Sequence, residues 1–137
     1  MKKKVKYFAV SFFIVFSVVL VVAGNVGLCR SNTTEVTSSP RLSYPIGPEV
    51  TVTGDYLEFK WWHAGMGVRS YEFSLYKGGG PSGDVIVQKT LPFDVSSIQV
   101  EAKLFEDDQT YTWTLRQVSD DGQKSDKSFN TFRVNKQ

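Results

Sequence analysis

The chain has 137 residues, 41% of them hydrophobic, with 16 basic and 14 acidic side chains and a formal net charge of +2. That length holds one ordinary domain plus a targeting segment and excludes a second core. Lys2, Lys3, Lys4, Lys6 and Arg30 all precede residue 31, so residues 31–137 keep 11 basic against 14 acidic groups; a mildly acidic domain without a basic stripe cannot displace phosphate counterions, which excludes nucleic acid as a partner.

The first element in chain order is a basic cap, Met1 to Lys6, followed by 23 residues without a charge up to Arg30. Twelve large apolar side chains between Phe8 and Val22 supply roughly −4 to −7 kcal/mol for membrane insertion. The pattern predicts one hydrophobic N-terminal helix over residues 1–30, either a signal peptide or a membrane anchor. Three fates fit. Val22 and Gly24 suit a signal peptidase cut before Asn25. Tyr7 to Leu28, about 33 Å as a helix, suffices for a retained span. Val26-Gly27-Leu28-Cys29 has the outline of a bacterial lipobox with Cys29 lipidated, although Leu28 stands where that motif has a small residue. Each fate makes the membrane a partner of the N-terminal segment or an exit route, and each puts the C-terminal domain outside the cytoplasm, membrane-associated or secreted.

Residues 31–44 begin SNTTEVTSSP, a Ser/Thr-rich linker with too little apolar surface to pack. Asn32-Thr33-Thr34 is formally a glycosylation sequon. Cys29, the lone cysteine, precedes the domain, which rules out an internal disulfide and a thiolate metal cluster.

From residue 45 to 137 the chain is written in period two. Leu57, Phe59 and Trp61 share one face of a strand, as do Tyr71, Phe73 and Leu75; then Ile98, Val100, Ala102 and Leu104; then Tyr111, Trp113 and Leu115. Weaker strands are expected at residues 49–53, 85–89 and 128–134, separated by the breakers Gly65, Gly67, Gly78 to Gly83 and Asp121-Gly122. Seven short strands at about ten-residue spacing predict an all-β, seven-strand antiparallel Greek-key sandwich.

Leu104 to Leu115, LFEDDQTYTWTL, with the following Ser119-Asp120-Asp121-Gly122-Gln123-Lys124-Ser125, resembles the sixth-strand region of a fibronectin type III domain, within the wider immunoglobulin-like class. The resemblance implies that Tyr111 is a "tyrosine corner", its hydroxyl capping backbone between the sheets. It implies likewise that Trp61 is the inward tryptophan of the second strand. Two departures stand out. Leu104 lies seven residues before the tyrosine instead of six, a position Phe105 occupies, and Asp107-Asp108 replaces the usual Pro-Gly.

His63 is the only histidine, which excludes Ser-His-Asp, Cys-His and multi-histidine zinc centres within one chain. Asp107-Asp108 and Asp120-Asp121 read as solvated turn formers, and no Asp-x-Asp-x-Asp-Gly calcium loop is present. The expectation is no catalysis, no cofactor and no metal. Trp61 and Trp113 are assigned to the core, while Trp62, sent outward by parity, joins His63 and Met66 in one loop that shares an end with Asp120, Asp121 and Lys124. These six form the candidate binding site, because an exposed tryptophan is a rigid anchor of the kind enriched at hot spots. The resulting reading is an extracytoplasmic interaction module that binds a protein or serves as a spacer. The alternative is a carbohydrate-binding module using Trp62 and Tyr76 as a stacking platform.

Overall fold

The computed structural model describes residues 38–137; the hydrophobic helix predicted over residues 1–30 and Cys29 lie outside the described residues. Eight strands follow in order: β1 (Leu42–Tyr44), β2 (Glu49–Val52), β3 (Tyr56–Trp61), β4 (Val68–Lys77), β5 (Asp84–Pro92), β6 (Ser97–Glu101), β7 (Thr110–Ser119) and β8 (Ser128–Lys136). They form two sheets, a three-stranded one ordered β1-β3-β6 and a five-stranded one ordered β2-β8-β7-β4-β5. Their facing sides bury Leu57, Phe59, Trp61, Tyr71, Phe73, Leu75, Tyr111, Trp113 and Leu115, as the alternation required.

Two expectations need correction. The strand count is eight because the N-terminal strand is divided. β1 pairs with β3 in the small sheet; the chain bends at Pro45 to Pro48 and β2 continues beside β8 in the large one. Since β2 keeps the direction in which β1 entered, its ladder with β8 is parallel, from Glu49↔Arg133 to Val52↔Lys136, and the sandwich is not wholly antiparallel. The bend is held by Asn130, whose carboxamide accepts from the Gly47 N–H at 3.3 Å and donates to its carbonyl at 3.2 Å, while Gly47 sits at φ 113°, open to glycine. β1 also carries the folded body back to Leu42, inside the stretch read as linker.

The second correction lies after β6. Alternation carried Ala102 and Leu104 inward, but a 3₁₀ turn spans Ala102–Leu104 and consumes residues at a different pitch. Leu104 is left exposed and Phe105 enters the core with 1% exposure. Phe105 thereby takes the position six before Tyr111, and its ring meets that of Tyr111 edge-on at 5.1 Å.

The tyrosine corner itself is present. Tyr111 is fully buried and its hydroxyl accepts the Glu106 backbone N–H at 2.7 Å. Tyr111→Phe leaves that N–H without its acceptor, and an orphaned donor costs about 1–2 kcal/mol. Urea titration of the two proteins measures the difference; equal midpoints would show that solvent takes the tyrosine's place.

Thr112 and Thr114 alternate away from the core yet are 0% and 1% exposed. They stand on a central strand between registered neighbours, Tyr76 and Thr131 beside Thr112, Ser74 and Phe129 beside Thr114. Thr112 is also tied down by its hydroxyl, which donates to the Gly78 carbonyl at 2.9 Å. Tyr76, read as exposed, is 7% accessible on this same outer face.

Candidate functional site

Where β3 ends, two adjacent indoles part company: Trp61 is 3% exposed and Trp62 is 59% exposed. Trp62 is held by its backbone, which donates to the Arg41 carbonyl at 2.8 Å, and the Arg41 guanidinium lies 5.4 Å from the Trp62 ring centroid. At that distance a cation–π contact contributes about 0.5–1 kcal/mol on an exposed surface. The loop then turns through Gly65 and Gly67, at φ 83° and 86°, values that β-carbon-bearing residues rarely adopt. The Gly65 N–H donates to His63 Nδ1 at 3.2 Å, and the Ala64 N–H donates to the buried Tyr71 hydroxyl at 3.0 Å, tying the loop to the core. Met66 projects at its tip, 95% exposed.

Two further loops reach this end. In the β5–β6 connection Phe93 is 52% exposed, its ring 6.3 Å from that of His63. In the β7–β8 connection the Asp120 N–H donates to the Gly67 carbonyl at 3.3 Å. Asp120 and Asp121 thus stand exposed beside the Trp62 loop, as their sequence positions implied. Asp121 is occupied locally: the Ser119 hydroxyl and the Gln123 N–H both donate to its carboxylate and lower its pKa, the serine contributing most. Lys124 is drawn onto the outer face of the large sheet, where its ammonium pairs with Glu72 at 2.8 Å.

Glu72 also meets the Arg116 guanidinium, and the Lys124 hydrogen bond, followed by the arginine's, holds its carboxyl below the usual glutamate range against the opposing effect of burial. A carboxylate whose pKa is depressed by folding contributes stability above its unfolded value, and loses that contribution as pH falls through the folded one. Glu72→Gln should therefore reduce stability at neutral pH, by an amount that shrinks as pH falls through the ordinary glutamate range and vanishes only below the depressed folded value. Chemical unfolding across an acid series checks this; a constant difference at every pH would remove the ion pair as its cause.

Between the entering segment and the Trp62 loop lies a shallow cleft of about 250 Å³, lined by Pro40, Arg41, Trp62, His63, Met66 and Gln117 among others. Gln117 is 3% exposed on its floor; its Nε2 donates to the Ser38 carbonyl at 2.7 Å, and its Oε1 has no partner among the described residues. The arrangement offers apolar anchors and hydrogen-bonding edges. Among the described residues no cluster of three or more His, Cys, Asp or Glu side chains could hold a metal ion, and no helix is long and apolar enough to cross a membrane. Sequence reasoning missed Arg41 and Phe93. Pro92-Phe93-Asp94 was the available signal, an aromatic inside turn chemistry where a strand could not bury it.

No protein-family model matches the sequence, and no curated protein matches it. Solved structures do. A computer-redesigned β-sandwich protein aligns over 73% of this chain and 92% of its own, at 15% identity and a TM-score of 0.56. The α-L-rhamnosidase from Dictyoglumus thermophilum aligns over 72% of this chain at 20% identity and a TM-score of 0.55, though the match covers only 12% of that enzyme. The fibronectin(III)-like modules of Clostridium thermocellum CbhA align over 71% of this chain and 96% of theirs, at 15% identity and a TM-score of 0.49.

Proposed function

We propose that this chain, a two-sheet β-sandwich whose tyrosine corner resembles that of fibronectin type III domains, is a non-catalytic extracytoplasmic interaction module, membrane-tethered or secreted, whose Trp62 end binds a protein partner. The observation that carries the reading is the contrast between Trp61 and Trp62, 3% and 59% exposed. Leaving Trp62 59% exposed forgoes much of the burial its neighbour obtains, and Arg41 and the loop hydrogen bonds hold it ready to dock. Met66 and Phe93 extend the apolar surface, while His63 and Asp120 give it a polar rim, the composition expected of a hot spot. The carbohydrate reading loses its second platform ring, since Tyr76 is buried, and the His63 and Phe93 rings stand at 77° to each other instead of coplanar. The test is capture from the organism's own envelope fraction by wild-type chain and by Trp62→Ala. The variant should melt with the wild type and bind its partner about 30-fold more weakly, the equivalent of a 2 kcal/mol hot spot. Normal melting with undiminished capture would move the binding site elsewhere.

A further inference from the structure

The first described residues, Ser38 to Arg41, line the same cleft as Trp62, His63 and Met66. The chain therefore enters its domain at the proposed binding end. β7 alone runs ten residues, about 33 Å, from the opposite end to this one. Upstream, eight peptide steps from Arg30 to Ser38 span at most about 28 Å, and before Arg30 stands the uncharged run of 23 residues.

From these placements we infer that the Trp62 end docks on a protein embedded in the same membrane, against a face that lies within about 28 Å of the bilayer surface. The inference rests on the proposed function and on residues 7–28 remaining as the anchor. A standard interface buries about 800 Å² on each partner, a patch roughly 30 Å across, as wide as the reach of the tether. A partner that covers Trp62, Met66 and Phe93 must then stand against the membrane. The bilayer itself is the poorer occupant. Asp94, Asp120 and Asp121 are exposed at this end beside Arg41 and Arg69, which leaves it no cationic surplus with which to hold anionic headgroups.

The experiment uses the full chain in its native membranes, with Trp62 kept and a photo-crosslinking amino acid in place of Ala64, which is exposed and lines the same cleft, and, as a control, in place of Tyr56, which is 56% exposed at the far end of β3. Two further forms carry 20 extra residues between Arg30 and Ser38, one helix-forming and semi-rigid, adding about 30 Å, the other flexible. The expected result is an adduct at position 64 only, with a protein that resists alkaline extraction. Its yield should fall at least about tenfold with the rigid insert and stay within about twofold with the flexible one. An adduct with an extractable protein, or one that survives the rigid insert, overturns this inference and leaves the proposed function standing. So does an intact mass showing the chain cut before Asn25. No protein adduct at position 64, or adducts with lipid alone, overturns both.

Discussion

Trp113→Ala should lower the unfolding free energy by about 3–5 kcal/mol, the cost of truncating a large aromatic side chain in a packed core. Trp113 is 0% exposed and sits in the middle of β7, with the Phe59 ring 5.2 Å away edge-on and Phe73 at 6.0 Å. Its role extends past packing. The indole Nε1 donates to the Pro45 carbonyl at 3.1 Å, so the same side chain fastens the bend where the chain passes from the small sheet to the large one. Loss of the ring removes that bond together with the contacts on both sheets. Lys60→Ala, on the solvent side of β3, should cost less than about 0.5 kcal/mol. Denaturant midpoints measured for the two variants decide the matter, and equal midpoints would mean that the faces of the sandwich are assigned in reverse.

Trp61→Ala should also destabilise by several kcal/mol, for a simpler reason. Its Nε1 is buried without a partner among the described residues, so no hydrogen bond to them is lost and the cost is the cavity beside Tyr71, whose ring lies 5.5 Å away. Trp62→Ala, one residue on, removes a ring that is 59% exposed, and should shift the melt by no more than a surface change does. Differential scanning calorimetry of both variants resolves this. If Trp62→Ala melts as low as Trp61→Ala, the outer indole is part of the core and the proposed site is lost.

What the sequence disclosed follows from what period two can encode. Phe59, Phe73 and Trp113 could be placed because each lies mid-strand, where alternation holds for four residues or more. Leu104 was misplaced because the 3₁₀ turn over Ala102–Leu104 breaks the phase, and no side-chain pattern announces three residues of a different pitch. β1 escaped because a three-residue strand with a shifted register shows no alternation. Thr112, Thr114 and Tyr76 face away from the core as parity requires, but parity reports direction, and burial on the outer face depends on neighbours from other strands. The candidate site divides in the same way. Trp62, His63 and Met66 are contiguous in sequence and could be read together, and the shared end with Asp120 and Asp121 followed from the strand order. Arg41 and Phe93 arrive from segments about 20 and 30 residues away, and only the folded register brings the first to Trp62 and the second to His63.

The central claim is that binding belongs to one end of the sandwich and not to its exposed aromatics in general. It is tested most directly by binding curves for the captured partner with Trp62→Ala, Met66→Ala, Phe93→Ala and Tyr56→Ala, each first shown to melt like the wild type. The account predicts that Trp62→Ala weakens binding by about 30-fold, that Met66→Ala and Phe93→Ala weaken it by smaller but measurable factors, and that Tyr56→Ala, equally exposed at the other end, leaves it unchanged. A loss with Tyr56→Ala as large as that with Trp62→Ala, or full affinity in all three loop variants, would contradict it.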